Sequence, residues 1–132
     1  MPHLYIRTFK ITAEDKKKLA ADVTQAVNKY VPAPTGYNHI TLPYEWIDIP
    51  RENLAMDGKL DQSPMAYIII NFLEGRTLEQ KKGVAKDVTA IVAKNLKIPQ
   101  KAVLVEILEL SPANVAHGGT LTIDAPPPGI SI

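Results

Sequence analysis

The sequence predicts an α/β (α+β) fold in which two tandem β-α-β units form one four-stranded sheet with two helices on one face. The main observation is an internal repeat at an offset of 65 residues, with 11 identities over the 23 ungapped positions of 12–34 and 77–99. A chain of 132 residues can bury a substantial core. We therefore expect a single domain, 1–132, made of a first unit with its linker (1–63) and a second unit with a C-terminal arm (64–132).

Two helices are predicted from their caps and from the spacing of their apolar residues. Thr12 and Thr77 are the expected N-caps, because acidic side chains follow each of them within the first turn. Apolar residues then recur on one helical face to about Tyr30 in the first copy and to about Asn95 in the second. Prolines follow both segments and end the helices.

Strand-like segments flank each predicted helix. Residues 3–9 and 65–73 precede the helices, and residues 37–42 and 102–110 follow them. A right-handed crossover makes the two strands of each unit parallel. The intervening residues 44–64 are predicted to be a loop that links the units, with Trp46 as a packing anchor.

The face of the sheet that the helices leave uncovered carries the alternate apolar residues of the strands. A monomer would expose that face, so we expect an oligomer that packs sheet against sheet. Glu106 and Glu109 are three residues apart on a strand and therefore point to opposite faces, where interface ion pairs are expected. The proline-rich tail, 125–132, is either a polyproline arm or a frayed end.

Composition excludes several classes of function. The net charge of +1 argues against a nucleic-acid-binding protein, and the absence of cysteine excludes disulfides and thiolate chemistry. The longest apolar run, 65–70, is too short to span a membrane, and no signal-peptide pattern begins the chain, so a cytoplasmic protein is expected. His3, His39 and His117 do not have the spacing of metal ligands, so a metal site is not expected.

Position 2 is the unusual chemical feature of the sequence. If Met1 is removed, Pro2 becomes a free secondary amine at the start of a strand. An α-amino group titrates at about 7.7–8.0, and an apolar environment lowers that pKa because desolvation disfavours the cation. Pro2 could therefore act as a neutral base at physiological pH.

Two motifs resemble a known family. The segment 72–81 (FLEGRTLEQK) is similar to the first strand-to-helix junction of the 4-oxalocrotonate tautomerase family, and His117-Gly118-Gly119 is similar to its late hairpin. The resemblance spans nearly the whole chain as two fused units, the layout of fused tautomerases and malonate semialdehyde decarboxylase. It implies the tautomerase fold and, because single-unit members form hexamers, a homotrimer.

The resemblance also implies a site and a reaction. Pro2 matches the catalytic proline, and Arg76 matches an arginine that binds the substrate carboxylate; a guanidinium suits that task because it can donate two parallel hydrogen bonds. His39 or Asn38 is expected to polarise the substrate carbonyl, and His117 is a further substrate contact. The implied substrate is a small carboxylate, a 2-hydroxy-dienoate or an enolic 2-oxo acid, and the reaction is a keto-enol tautomerisation without a cofactor.

Three departures from the family pattern keep other functions open. Leu104 stands where the family has a second-strand arginine, Val115 replaces a late aromatic residue, and Ala66 occupies the proline position of the second copy. Each chain can therefore form at most one proline site. The alternatives are a hydratase, decarboxylase or dehalogenase of a three-carbon acid, and a catalytically silent trimeric binding protein.

Overall fold

Eight strands and two α-helices are the main elements of the described part of the chain. The computed structural model describes residues 3–31, 42–60 and 64–124. In chain order the elements are β1 (His3–Thr8), α1 (Ala13–Tyr30), β2 (Tyr44–Asp48), β3 (Ala55–Met56), β4 (Lys59–Leu60), β5 (Ala66–Leu73), α2 (Leu78–Leu96), β6 (Val103–Leu110), β7 (Ala116–His117) and β8 (Thr120–Leu121).

One four-stranded sheet, in the order β2-β1-β5-β6, organises the molecule. Within each unit the two strands are parallel, as the crossover rule predicts. The two units meet in the centre, where β1 runs antiparallel to β5 so that His3 lies opposite Asn71 and Thr8 lies opposite Ala66. The predicted four-stranded sheet of tandem β-α-β units is confirmed.

Both predicted helices are present, and their ends lie within a residue of the predicted positions. Thr12 caps α1 by accepting a hydrogen bond from the Asp15 backbone N–H at 3.1 Å. Thr77 caps α2 in the same way and forms a reciprocal capping box with Gln80. Lys97 ends α2 in the left-handed conformation, with φ of 56°.

The core lies between the helices and one face of the sheet. The residues that form it alternate along the two central strands and recur along the inner face of each helix: Leu4, Ile6, Ile68, Ile70 and Phe72 from the strands, and Leu19, Val23, Val27, Val84, Val88 and Val92 from the helices. Leu104 and Leu108 of β6 lie on the other face and are 44% and 47% exposed. Both helices therefore cover one face, as predicted, and the second face is open.

The two helices pack antiparallel through a pair of equivalent contacts. Tyr30 donates its hydroxyl hydrogen bond to Asp87 at 2.8 Å, and Asn95 donates to Asp22 at 3.3 Å. Tyr30 and Asn95 are repeat equivalents, as are Asp22 and Asp87, so each helix supplies a donor to the other. The Tyr30 ring is larger than the side chain of its equivalent Asn95, and it lies against Gly83. A Cβ atom added at Gly83 would be 2.2 Å from a ring carbon of Tyr30.

The second strand of the first unit does not lie where the sequence predicted it. The predicted strand covered residues 37–42, and residues 37–41 lie outside the described part of the chain. The strand that pairs with β1 is β2, Tyr44–Asp48. The prediction of a loop at 44–64 is therefore wrong. The segment contains β2, a short 3-10 turn at Arg51–Asn53 and the hairpin β3–β4, and Trp46 packs against the core as predicted.

The first unit is consequently a fuller copy of the second than the repeat at 65 suggests. Lys16 of α1 pairs with Asp48 at the end of β2, and Lys81 of α2 pairs with Glu109 near the end of β6. The lysines are 65 residues apart, whereas the acids are 61 apart, because the first unit has four more residues between its helix and its second strand. The prediction of an interface ion pair for Glu109 is wrong, since its partner Lys81 lies in the same chain.

Tyr44 anchors the edge strand β2 to α1. Its hydroxyl donates to the Ala20 carbonyl at 3.1 Å and lies 2.7 Å from the hydroxyl of Thr24. Burial raises the pKa of the Tyr44 hydroxyl to about 12, although the hydrogen bond with Thr24 acts in the opposite direction.

Replacing Gly83 with Ala should destabilise the fold. Added Cβ volume against the Tyr30 ring should cost about 1–3 kcal/mol of unfolding free energy, more than the roughly 1 kcal/mol that alanine gains over glycine in a helix. In a Tyr30→Ala background the same substitution should instead stabilise the protein by up to about 1 kcal/mol. Urea denaturation of the four proteins of this cycle measures both values.

Lys86→Ala, at an exposed position of the same helix, is the control and should change stability little in either background. Stabilisation by Gly83→Ala in the presence of Tyr30 would contradict the steric argument.

Stability should fall as the pH rises from about 10 to about 12 because of Tyr44. Its folded-state pKa is raised to about 12, so the folded form holds the proton that the unfolded chain releases near pH ~10. Ultraviolet titration of the tyrosines should show one late ionisation that is missing in Tyr44→Phe and present in Tyr5→Phe. A late step that survives in Tyr44→Phe would contradict the assignment.

Candidate functional site

Each strand of the four-stranded sheet has one end at a common edge, which we call the Arg76 edge. β1 begins there at His3, and β5 and β6 end there at Leu73 and Leu110. The arrangement follows from pairing, because β1 is antiparallel to β5 while β5 is parallel to β6. The residue before β1 is Pro2, and the junction after β5 carries Arg76.

The junction between β5 and α2 is fixed by backbone contacts on both sides of Arg76. The Glu74 N–H donates to the Leu110 carbonyl at 2.9 Å, which ties the junction to the end of β6. Gly75 has φ of 117°, a conformation that residues with a Cβ rarely adopt. Thr77 then begins α2 through its capping box. Arg76 is held between two defined backbone segments and is half-buried.

Unpartnered polar atoms collect at the Arg76 edge. Within the described residues, the buried side-chain nitrogen and oxygen atoms without a hydrogen-bond partner are His3 Nε2, Asn71 Oδ1 and Arg76 Nε. His3 and Asn71 face each other across the central strand pair. Leaving a buried polar group unpaired costs about 1–3 kcal/mol, and such groups in a native structure are typical of ligand or partner sites.

His3 is oriented by two neighbours on the open face. Its ring stacks on Tyr5 with centroids 4.6 Å apart and planes 4° from parallel. Glu45 Oε2 lies 3.1 Å from Nε2, an ion pair when the imidazole is protonated, although the contact lacks the direction that a hydrogen bond needs. The imidazole is therefore held in place while Nε2 lacks a directed hydrogen bond.

The predicted site residues fall into two groups. The structure places Arg76 at the Arg76 edge and His117 on the exposed hairpin β7–β8, which follows β6 from that same edge. Pro2, Asn38 and His39 lie outside the described residues.

Sequence reasoning did not select His3 or Asn71 for the site. A signal for Asn71 exists, because it is the only residue with an amide side chain in the otherwise apolar strand β5. A polar group at that position of a central strand is costly unless it has a partner.

A cavity lies at the opposite edge of the sheet, beside the junction of the first unit. Its volume is about 450 Å³, and Phe9, Ile11, Leu96 and the two lysines Lys10 and Lys97 are among its lining residues. Ile11 precedes the cap of α1 as Arg76 precedes the cap of α2. Of the predicted site residues that the structure describes, neither Arg76 nor His117 lines this cavity.

Two further findings concern metals and membranes. Within residues 3–31, 42–60 and 64–124, no group of three or more histidine or acidic side chains is placed to hold a metal ion. Neither helix in that part of the chain combines the length and apolar character that a membrane span requires.

Comparison with known proteins places the chain among tautomerases. The family model described as tautomerase enzyme matches residues 67–125. A probable tautomerase of Listeria monocytogenes is 42% identical over 60 residues, which are 46% of this chain and 98% of the relative. A probable tautomerase of Bacillus cereus is 44% identical over 55 residues, 42% of this chain and 90% of the relative. These relatives are one unit long.

Solved structures match the two-unit arrangement of the chain. A fused 4-OT described as a wild-type asymmetric trimer has a TM-score of 0.83 and 23% identity, covering 95% of this chain and 99% of the other. A member of the cis-3-chloroacrylic acid dehalogenase family has a TM-score of 0.76 and 21% identity, covering 90% and 82%. At these identities the structures show the fold, and the matching sequences show the family: the chain belongs to the tautomerase superfamily.

Proposed function

We propose that the protein is a keto-enol tautomerase that uses Pro2 as its general base and acid and Arg76 to bind the substrate carboxylate. One observation carries the proposal: the antiparallel pairing of β1 with β5 brings the start of the strand that Pro2 precedes to the edge that carries Arg76. The probable-tautomerase relatives support the reaction class. The substrate class is a small 2-hydroxy-dienoate or an enolic 2-oxo acid.

The reaction needs one base and one cation. With Met1 removed, the neutral Pro2 amine takes the proton of the enol hydroxyl, and the oxygen electron pair forms the carbonyl. The π electrons of the enol double bond then take that proton from Pro2 and form the new C–H bond. The proton therefore moves from oxygen to carbon of the same substrate, and no co-reactant is consumed. Pro2 serves as base and then as acid, which requires a pKa near the working pH.

Arg76 supplies the charge that this chemistry needs. Its Nε is buried without a partner among the described residues, so a guanidinium N–H is free to donate to a substrate carboxylate. A planar guanidinium holds a carboxylate in a fixed orientation and opposes the negative charge that builds up as the proton leaves. Lys81 is less available for this task because Glu109 pairs with it.

The remaining predicted residues serve as hydrogen-bond donors in the proposal. Asn38 or His39 polarises the substrate carbonyl, and His117 contacts the substrate from the β7–β8 hairpin. Exposure of His117 in the single chain is compatible with a role that a second subunit completes.

The protein is further proposed to work as a homotrimer of two-unit chains that covers the open face of the sheet. Ile47, Leu104 and Leu108 on that face are 41%, 44% and 47% exposed. Arg7 and Glu106 bring opposite charges to the same face, which makes the surface complementary to itself. Structural relatives are described as trimers of fused 4-OT.

Pro2→Ala should lower the rate of ketonisation of enolic phenylpyruvate by about 100- to 10,000-fold, the usual contribution of a positioned acid-base group. The measurement is the ultraviolet decay of the enol. Mass spectrometry of the purified protein should show that Met1 is absent.

Pro64→Ala is the matched control, since Pro64 precedes β5 within the chain and its nitrogen is an amide. It should leave the rate unchanged. Full activity in Pro2→Ala, or an intact Met1 in an active enzyme, would refute the role of Pro2.

Leu108→Lys should dissociate the trimer, because a charge would enter the covered face at an apolar position that a lone chain leaves 47% exposed. Analytical ultracentrifugation should then report a mass near 14.5 kDa, whereas the unmodified protein is expected to sediment at the mass of a trimer. Leu78→Lys, at a residue of α2 that is 65% exposed, is the control and should leave the trimer intact. A trimer that persists in Leu108→Lys would count against assembly through this face.

A further inference from the structure

The cavity beside the first-unit junction, which we call the Ile11 cavity, lies between the facing ends of the two helices. Its wall consists of residues 9–12 of the junction, Asp15 in the first turn of α1 and residues 95–97 at the end of α2. The helices pack antiparallel, so the start of α1 lies beside the end of α2. The trimer proposed above covers the face of the sheet opposite the helices and uses none of these residues, so the cavity stays open in that assembly.

Part of the wall of the Ile11 cavity is apolar. Phe9 and Ile11 are half-buried and pack against the core, and Leu96 is 9% exposed. The guanidinium of Arg51 lies 5.7 Å from the centroid of the Phe9 ring. The volume of about 450 Å³ falls within the roughly 300–1,000 Å³ that is typical of small-molecule sites. The cavity therefore offers room and an apolar surface for the body of a small ligand.

Two lysines give the Ile11 cavity its charge. Lys10 and Lys97 are exposed, and within the described residues neither has an acidic partner. By contrast, the helix lysines Lys16 and Lys81 each pair with an acid of a neighbouring strand. Among the described residues that line the cavity, Asp15 is the one acid. Positive charge therefore exceeds negative charge at the wall, which makes the cavity complementary to an anion.

Lys97 occupies its position at a conformational cost. Its φ of 56° is left-handed, a conformation in which a residue with a Cβ is strained and for which glycine is the usual residue at a helix end. A cation near the C-terminus of α2 favours the helix dipole, but Lys94 in the last turn already provides one. The strain at Lys97 is therefore poorly explained by helix stability, and such strain is typical of functional sites.

We propose that the Ile11 cavity binds a small organic carboxylate with an apolar body. The carboxylate lies between the ammonium groups of Lys10 and Lys97, and the body packs against Phe9, Ile11 and Leu96. A cation would be repelled by the two lysines, and an uncharged apolar molecule would leave both without a partner. The proposal is independent of the proposed tautomerase reaction, because no residue of the Arg76 edge takes part in it.

The first test is an NMR titration with phenylacetate, a carboxylate with an aromatic body. The methyl resonances of Ile11 and Leu96 should shift and saturate with a dissociation constant on the order of 1 mM, as expected for a ligand of this size. Phenethylamine, which has the same ring and the opposite charge, should leave both resonances in place. Failure of phenylacetate to shift them, or equal shifts with the two compounds, would overturn the proposal.

Charge variants locate the carboxylate of the bound probe. Lys10→Gln and Lys97→Gln should each weaken phenylacetate binding about two- to fivefold, the usual effect of an exposed ion pair, whereas Asp15→Asn should strengthen it by a similar factor. Lys101→Gln is the matched control, because it removes an exposed lysine that does not line the cavity. It should change the affinity less than about 1.5-fold. Equal weakening in Lys101→Gln and in the two cavity variants would overturn the proposal.

Lys97→Gly separates binding from stability. Glycine relieves the left-handed strain, so the urea midpoint should rise, while the affinity for phenylacetate should fall as it does in Lys97→Gln. Weaker binding by a more stable protein cannot result from unfolding. Unchanged affinity in Lys97→Gly would overturn the proposal. A phenylacetate titration that shifts the Arg76 Nε–H resonance and leaves Ile11 and Leu96 in place would also overturn it, although the proposed tautomerase site would then be supported.

Discussion

The antiparallel pairing of β1 with β5 is the constraint on which the rest of the structure depends. The paired positions run from His3 opposite Asn71 to Thr8 opposite Ala66, and an approximate twofold axis near the middle of this pairing relates one unit to the other. Each strand therefore begins where the other ends. A chemical group at the start of one unit is placed beside the strand-to-helix junction of the other unit, and this is how a residue near position 2 and one at position 76 come to share an edge.

The same symmetry shows which contacts maintain the fold and which have diverged for a site. Donors Tyr30 and Asn95 both reach an aspartate of the other helix, and lysine–acid pairs join helix to strand in both units. These contacts recur because packing needs them twice. The unpartnered buried atoms of the described residues do not recur: they lie at the Arg76 edge, while Ile11 and a cavity occupy the other edge. Packing alone does not explain that asymmetry.

Sequence reasoning predicted the helices and the strands that precede them because their signals are local. The caps at Thr12 and Thr77 mark where the helices begin. The buried apolar positions that follow are spaced for one helical face, so few other structures fit these segments. It missed β2 because that strand is short and buries little: Tyr44–Asp48 has an exposed residue at every second position and again at its end, whereas the longer edge strand β6 was predicted. The repeat at an offset of 65 did not reveal β2 either, because the offset between the two units changes to 61 after α1. Comparing Ala55-Met56-Asp57-Gly58 with Ala116-His117-Gly118-Gly119 at the new offset would have revealed the first hairpin.

The site was less predictable than the fold because its chemistry depends on contacts between units. Arg76 was selected through a resemblance of its junction, but nothing in the residues around it reveals that the start of β1 lies at the same edge, because that placement depends on the pairing of β1 with β5. His3 and Asn71 reach that edge from different units, so their unpartnered buried atoms form one group only after the two units have paired.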